Sequence, residues 1–147
     1  MAASQSFANN IIEGNLGSKI QGEVVLKFNF PWSMSFIGND HLLVATKPGK
    51  LWLVDSFGSK TEVKNIMNIQ YGGQGGMGDV VPHPNYKKNK YIYLSYITSD
   101  DGGMTRYAVV DRANLSDLSS PKLENRQRIW EQFPAVKGKG HFSHRIA

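Results

Sequence analysis

Short apolar runs broken by glycine, proline and asparagine turns set the pattern of this chain. Trp32, Met34 and Phe36 alternate with Ser33 and Ser35, the period-two mark of a half-buried strand over 32–37. Residues 41–46 form a near-continuous apolar run, as in a strand covered on both faces. Turns at 38–40, Pro48-Gly49 and 56–59 join these runs to further strands at 50–55 and 61–66. Hairpin-length connections of this kind predict a four-stranded antiparallel meander over about 32–66. The pattern recurs after the glycine-rich loop 71–76. Strands are expected at 77–81, 91–96, 105–111 and 126–131, with a turn at 82–86 and a helical turn within 111–123. An earlier strand is expected at 23–30, stopped by Pro31. Residues 1–23 read as a polar lead-in holding one short strand, and a further strand opens at 142.

Two meanders over about 32–66 and 77–131, the start of a third at 142, and no long helix predict an all-β chain. A partial β-propeller over 24–147 is the expected architecture, each blade covered by the blades beside it. A small eight-stranded β-sandwich is the rival that the length permits. Repeat folds need about three units or more to be stable, and about two are present here. With a strand only just begun at 142–147, the sequence reads as the front part of a longer protein.

Composition narrows the function classes. Of 147 residues, 40% are hydrophobic and 11% aromatic, with 15 glycines, which suits a turn-rich β protein. The formal charge of +5 is spread along the chain rather than gathered into a basic stripe with interleaved aromatics, so nucleic acid is not an expected partner. There are no cysteines, which excludes disulfides and thiolate metal sites. No apolar segment approaches the ~20 residues of a membrane-spanning helix. The first ten residues show neither the basic start nor the apolar stretch of a signal peptide.

Candidate chemistry lies in two places. Gln74 sits among Gly72, Gly73, Gly75 and Gly76, whose missing Cβ atoms allow tight turning and close approach to a flat ligand. Its carboxamide both donates and accepts hydrogen bonds. The second place is the run His141, Phe142, Ser143, His144, Arg145, where a loop passes into a strand and an imidazole could act as a neutral base near pH 7. Strand alternation sends His144 and Arg145 to opposite faces, so they are not expected to act together. His83, between two prolines, reads as a turn residue, and no spacing supports a metal site. Asp100-Asp101-Gly102-Gly103 lacks the later acidic ligands of a calcium loop and reads as a hairpin turn. Trp32, Trp52 and Trp130 are expected in core or inter-blade packing.

Several pieces together resemble the soluble PQQ-dependent aldose sugar dehydrogenases of the glucose/sorbosone dehydrogenase family. They are Pro31-Trp32, Leu43-Val44-Ala45-Thr46-Lys47-Pro48-Gly49-Lys50-Leu51, Gly73-Gln74-Gly75-Gly76-Met77-Gly78-Asp79-Val80 and His83-Pro84-Asn85-Tyr86-Lys87-Lys88-Asn89. Tyr91-Ile92-Tyr93-Leu94-Ser95-Tyr96 and His141-Phe142-Ser143-His144-Arg145-Ile146 complete the set, in order, from about residue 31 onward. The resemblance implies a six-bladed propeller that holds pyrroloquinoline quinone (PQQ) with calcium and oxidises the anomeric hydroxyl of an aldose to the lactone. An external electron acceptor and an exported, periplasmic or secreted location are implied with it. By position in the motif, His141 is the catalytic base and Gln74 a cofactor contact. The family's metal ligands and most of its substrate pocket are expected outside these 147 residues, so this chain alone is expected to be inactive. Ser143 and His144 stand where the family usually has small residues. A non-catalytic propeller or sandwich module binding carbohydrate or protein is the alternative class.

Overall fold

The structure, a computed structural model, describes residues 10–140 and 142–147. Two antiparallel sheets dominate it. The first has the order β3-β4-β5-β6, from β3 (Pro31–Ile37), β4 (His41–Thr46), β5 (Leu51–Val54) and β6 (Lys60–Glu62). The second has the order β10-β9-β8-β7, from β7 (Met77–Pro82), β8 (Tyr91–Thr98), β9 (Thr105–Asn114) and β10 (Glu124–Glu131). A short β11 (Val136–Lys137) pairs with β9 at Arg106 and Thr105, extending β10's pairing along the same edge. Ahead of both sheets, β1 (Asn10–Glu13) and β2 (Lys19–Gly22) form a separate hairpin.

These are the two meanders expected from the apolar pattern, each a propeller-type blade. Alternation decides which face of the first sheet is buried. Leu43, Ala45, Leu51 and Leu53 enter a core shared with Met77, Val80, Ile92, Leu94 and Tyr96 of the second sheet. The opposite face carries Trp32, Met34 and Phe36, 54%, 66% and 68% exposed. The two sheets are tied at a second place. Lys64 and Lys122 form a parallel bridge, with Lys64 N–H bonded to Pro121 O at 2.9 Å and Leu123 N–H to Lys64 O at 3.0 Å.

Several local expectations change. Residues 23–28 form no strand; they lie over the open face of the first sheet, where Phe28 packs against Trp52 and Lys60 Nζ bonds Lys27 O at 3.1 Å. The only helical turn among the described residues is α1 (Tyr86–Asn89), where a plain turn was expected, and none occurs within 111–123. Lys90, with φ of 58°, closes α1 by bonding its N–H to Tyr86 O. The buried Tyr86 hydroxyl anchors the turn on Leu115 O. Strand β6 stops at Glu62; Val63 N–H still reaches Leu51 O of β5 at 2.9 Å, and from Lys64 the backbone pairs with 121–123 instead. Trp32 and Trp130 are about half exposed rather than in the core of this chain, while Trp52 is half-buried.

Leu94 is fully buried and Leu16 is 92% exposed. Leu94→Ala is expected to lower unfolding free energy by about 2–5 kcal/mol and Leu16→Ala by no more than about 0.5 kcal/mol. Urea unfolding of the two variants checks the assigned core.

A candidate active site at the glycine loop

The loop ahead of β7 runs where side chains have no room. A Cβ on Gly76 would lie 2.2 Å from Lys47 O, and one on Gly73 would lie 2.4 Å from Lys139 O. One on Gly78 would lie 2.2 Å from Nδ1 of His144. Gly76 also has a φ of +137°, a conformation that other residues rarely adopt. These approaches let backbone groups meet directly. Met77 N–H bonds Lys47 O at 3.0 Å, Ile97 N–H bonds Gly76 O at 2.9 Å, and Gly75 N–H bonds Gly72 O at 2.9 Å. Lys47 adds its ammonium, bonded to Gly73 O at 2.8 Å and set 4.6 Å from the centre of the Trp32 ring.

Gln74 stands at the exposed tip of this loop, and both of its backbone groups reach the same distant segment. Its N–H bonds Lys139 O at 2.7 Å, and its C=O lies 3.4 Å from Nε2 of His144. Its side-chain Oε1 is 3.9 Å from where a Cβ on Gly140 would sit. Gln74 is thereby placed against the stretch on both sides of position 141. His141 itself lies outside the described residues.

Residues 142–147 carry no strand ladder, yet their burial alternates, with Phe142, His144 and Ile146 half-buried and Ser143 and Arg145 exposed. Side chains of the second sheet replace the missing ladder partners. Asp79 accepts from Val80 N–H at 3.1 Å through Oδ1 and from Ile146 N–H at 3.1 Å through Oδ2. Ser95 Oγ accepts from Asp79 N–H at 2.8 Å and donates to His144 O at 2.5 Å. Asp79 and Ser95 thus hold the segment by side chains where a strand would use backbone.

A cavity of about 270 Å³ opens beside this junction, lined by Trp32, Ser33, Gly78, Asp79, His144 and Arg145. Burial holds the His144 pKa below the ordinary 6.5; Lys47 acts in the same direction, while the Gln74 carbonyl and Asp79 oppose it. The ring is therefore neutral at pH 7. The Gln74 carbonyl can only accept, so Nε2 carries the proton. Nδ1 is then a lone-pair acceptor, buried over Gly78 with no partner among the described residues. His144 and Arg145 face opposite ways yet both border the cavity. The sequence pattern missed this role for His144, and it missed Lys47, which reads as an ordinary turn lysine.

The other polar clusters are structural. Asp111, 1% exposed, accepts from Tyr96 OH at 2.5 Å and pairs with Arg128 at 3.2 Å. Burial, with Asp111, pushes Tyr96 up to about 12, so its phenol stays a proton donor. Hydrogen bonds from Thr105 and Ser99 hold Asp101 down at about 2, and they form the hairpin turn expected there. His83 stacks on Tyr93 and caps its own turn, accepting from Asn85 N–H at 2.9 Å. Among the described residues no group of three His, Asp or Glu side chains could hold a metal, and no helix is long and apolar enough to cross a membrane.

An all-β pair of propeller-type blades with a glycine loop held against Lys139, Gly140 and His144 defines the class. Residues 28–147 match the family Glucose / Sorbosone dehydrogenase, and the chain belongs to that family. It is 28% identical over 123 residues to the aldose sugar dehydrogenase YliI of Escherichia coli K12, covering 82% of this chain and 32% of that protein. It superposes on the soluble aldose sugar dehydrogenase of Escherichia coli in its apo-form with a TM-score of 0.73 and 26% identity, covering 81% of this chain and 34% of the other. The PQQ-bound aldose sugar dehydrogenase of Streptomyces coelicolor matches with a TM-score of 0.65 and 25% identity, covering 82% and 35%. The chain thus spans about a third of the length of these relatives.

Two measurements check the site. Gly76→Ala must displace the Lys47 carbonyl and is expected to cost about 1–3 kcal/mol. Gly102→Ala, with φ of +71° but open space around it, is expected to cost about 1 kcal/mol. The depressed His144 pKa also fixes a sign. Below pH 6.5 the unfolded chain takes up the proton before the folded one, so His144's contribution to stability is lost as pH falls from 6.5 through the folded value. Lys47, Asp79 and Arg145 are the charged groups around it. His144→Gln is expected to flatten that part of a Tm-against-pH profile, and an unchanged slope would contradict the assignment.

Proposed function

We propose that this chain supplies one wall of a PQQ-dependent, calcium-requiring aldose dehydrogenase site within a six-bladed propeller, of which residues 24–147 form about two blades. The observation that carries the reading is the double backbone attachment of Gln74 to Lys139 and His144, which brackets position 141. Family membership and the PQQ-bound relative support the cofactor. The chain's own chemistry is compatible with it. A carboxamide that donates and accepts stands at an exposed loop tip, and the ammonium of Lys47 lies nearby to favour an anionic ligand. The aliphatic stem of Lys139, an exposed residue, lies along Gly72 at the same edge.

In this reading Gln74 orients one edge of the quinone, and His141 takes the proton of the sugar's anomeric hydroxyl. When bound, PQQ supplies the hydride acceptor; the protein contributes orientation and electrostatics. Lactone product, external electron acceptor, calcium and an exported location come with the family resemblance. His141 must be neutral to accept the proton, and a well-placed base contributes about 10²–10⁴-fold.

In the enzyme that contains this chain, His141→Ala is expected to lower kcat by about 10²–10⁴-fold with PQQ affinity little changed. Wild-type turnover in that variant would contradict the assignment. The isolated 147-residue chain, given PQQ and calcium, is expected to show no sugar oxidation; robust turnover would contradict the view that the site needs further walls.

A further inference from the structure

Gln74 projects from a loop with four neighbouring glycines, so something must hold the loop still if the carboxamide is to meet a ligand at a fixed place. Its backbone attachment on the N–H side is a strong bond to Lys139 O at 2.7 Å. On the carbonyl side the side chain of His144 reaches it, with Nε2 at 3.4 Å. The ring of His144 lies so close over Gly78 that no Cβ could fit there, while Ser95 and Asp79 fix the backbone at His144 O and Ile146 N–H. The ring is therefore anchored from below, and its backbone is held on the C-terminal side, with Nε2 facing the Gln74 carbonyl.

We propose that His144 is a positioning residue: its ring, laid on Gly78 and bonded to the Gln74 carbonyl, clamps the glycine loop to the segment carrying position 141 and so aims the Gln74 carboxamide. The proposal rests on the reading of Gln74 as a cofactor contact only for its consequence in binding; the clamp itself stands on geometry. At 3.4 Å the bond is long, so packing over Gly78 and the bond act together, and variants must separate them. His144→Phe keeps a ring over Gly78 without an N–H, whereas His144→Gln keeps an N–H donor without the ring.

Residue-by-residue amide exchange in the full chain tests the clamp without any cofactor. His144→Phe is expected to speed exchange at Gln74 and Gly75 roughly five- to tenfold, leaving amides of β4 and β8 unchanged, and His144→Gln, which keeps the donor without the packed ring, is expected to exchange more slowly than His144→Phe but faster than the native chain. Unchanged loop exchange in His144→Phe, or an equal rise throughout the chain, overturns the clamp. In the enzyme that contains this chain, PQQ affinity measured by fluorescence quenching supplies the second readout. His144→Phe and Gln74→Ala are each expected to weaken it about five- to tenfold. If Gln74→Ala leaves PQQ affinity intact, the cofactor reading fails and the clamp is judged on exchange alone. If Gln74→Ala weakens binding but a faster-exchanging His144→Phe does not, the aiming role is overturned.

Discussion

Close backbone approach is the constraint on which this structure turns. Gly73, Gly76 and Gly78 lie where a Cβ would fall within about 2.4 Å of another residue, against Lys139, Lys47 and His144 in turn. Two of these contacts reach the segment beyond β11, at Lys139 and His144, and the third reaches the β4–β5 turn at Lys47. Without those approaches, Met77 N–H would lose its bond to Lys47 O and Gln74 N–H its bond to Lys139 O. The glycines therefore do more than permit a turn. They let one loop serve as the junction between the first sheet, the second sheet and the stretch that bears the candidate base.

Around this junction the energetic burden falls on apolar packing between the two sheets. Leu43, Leu51, Met77, Ile92 and Leu94 are fully buried and belong to one cluster, so the sheets cannot slide without exposing it. Burial of this kind is worth about 25 cal/mol per Å² of apolar surface removed from water. Asp111 is a different kind of contributor. Buried and charged, it is tolerated because Tyr96, Arg126 and Arg128 surround it with donors and positive charge. The rigid sheets then give the loop a fixed frame, which is what a site built on a glycine-rich segment requires.

Much of the fold is legible in the sequence because alternation and turn residues speak directly about strands. Trp32, Met34 and Phe36 against Ser33 and Ser35 announce β3, and Tyr91, Tyr93 and Ser95 among apolar residues announce β8. Residues 23–28 mislead because their alternation is that of a segment laid across an open sheet face, which buries one side without pairing its backbone. The run 142–147 keeps a strand's alternation while Asp79 and Ser95 supply its hydrogen bonds, a substitution that no local pattern reveals. Gln74 and position 141 are separated by 66 intervening residues, and local patterns place neither beside the other; only the family resemblance suggested a shared site. His144 was hidden for the opposite reason. A histidine beside an arginine on an expected strand looks like packing or solvent, and only the empty face of Gly78 shows where its ring goes.

The account stands most directly on the Gln74 N–H to Lys139 O bond, which places the glycine loop against the residues flanking position 141. Its direct measurement is the through-hydrogen-bond NMR coupling between the Gln74 amide nitrogen and the Lys139 carbonyl carbon, read together with contacts from the Gln74 amide proton to Gly140. A measurable coupling with slow exchange of that amide is the expected result. No coupling, no contact to Gly140, and exchange at the rate of an open loop would contradict the shared site.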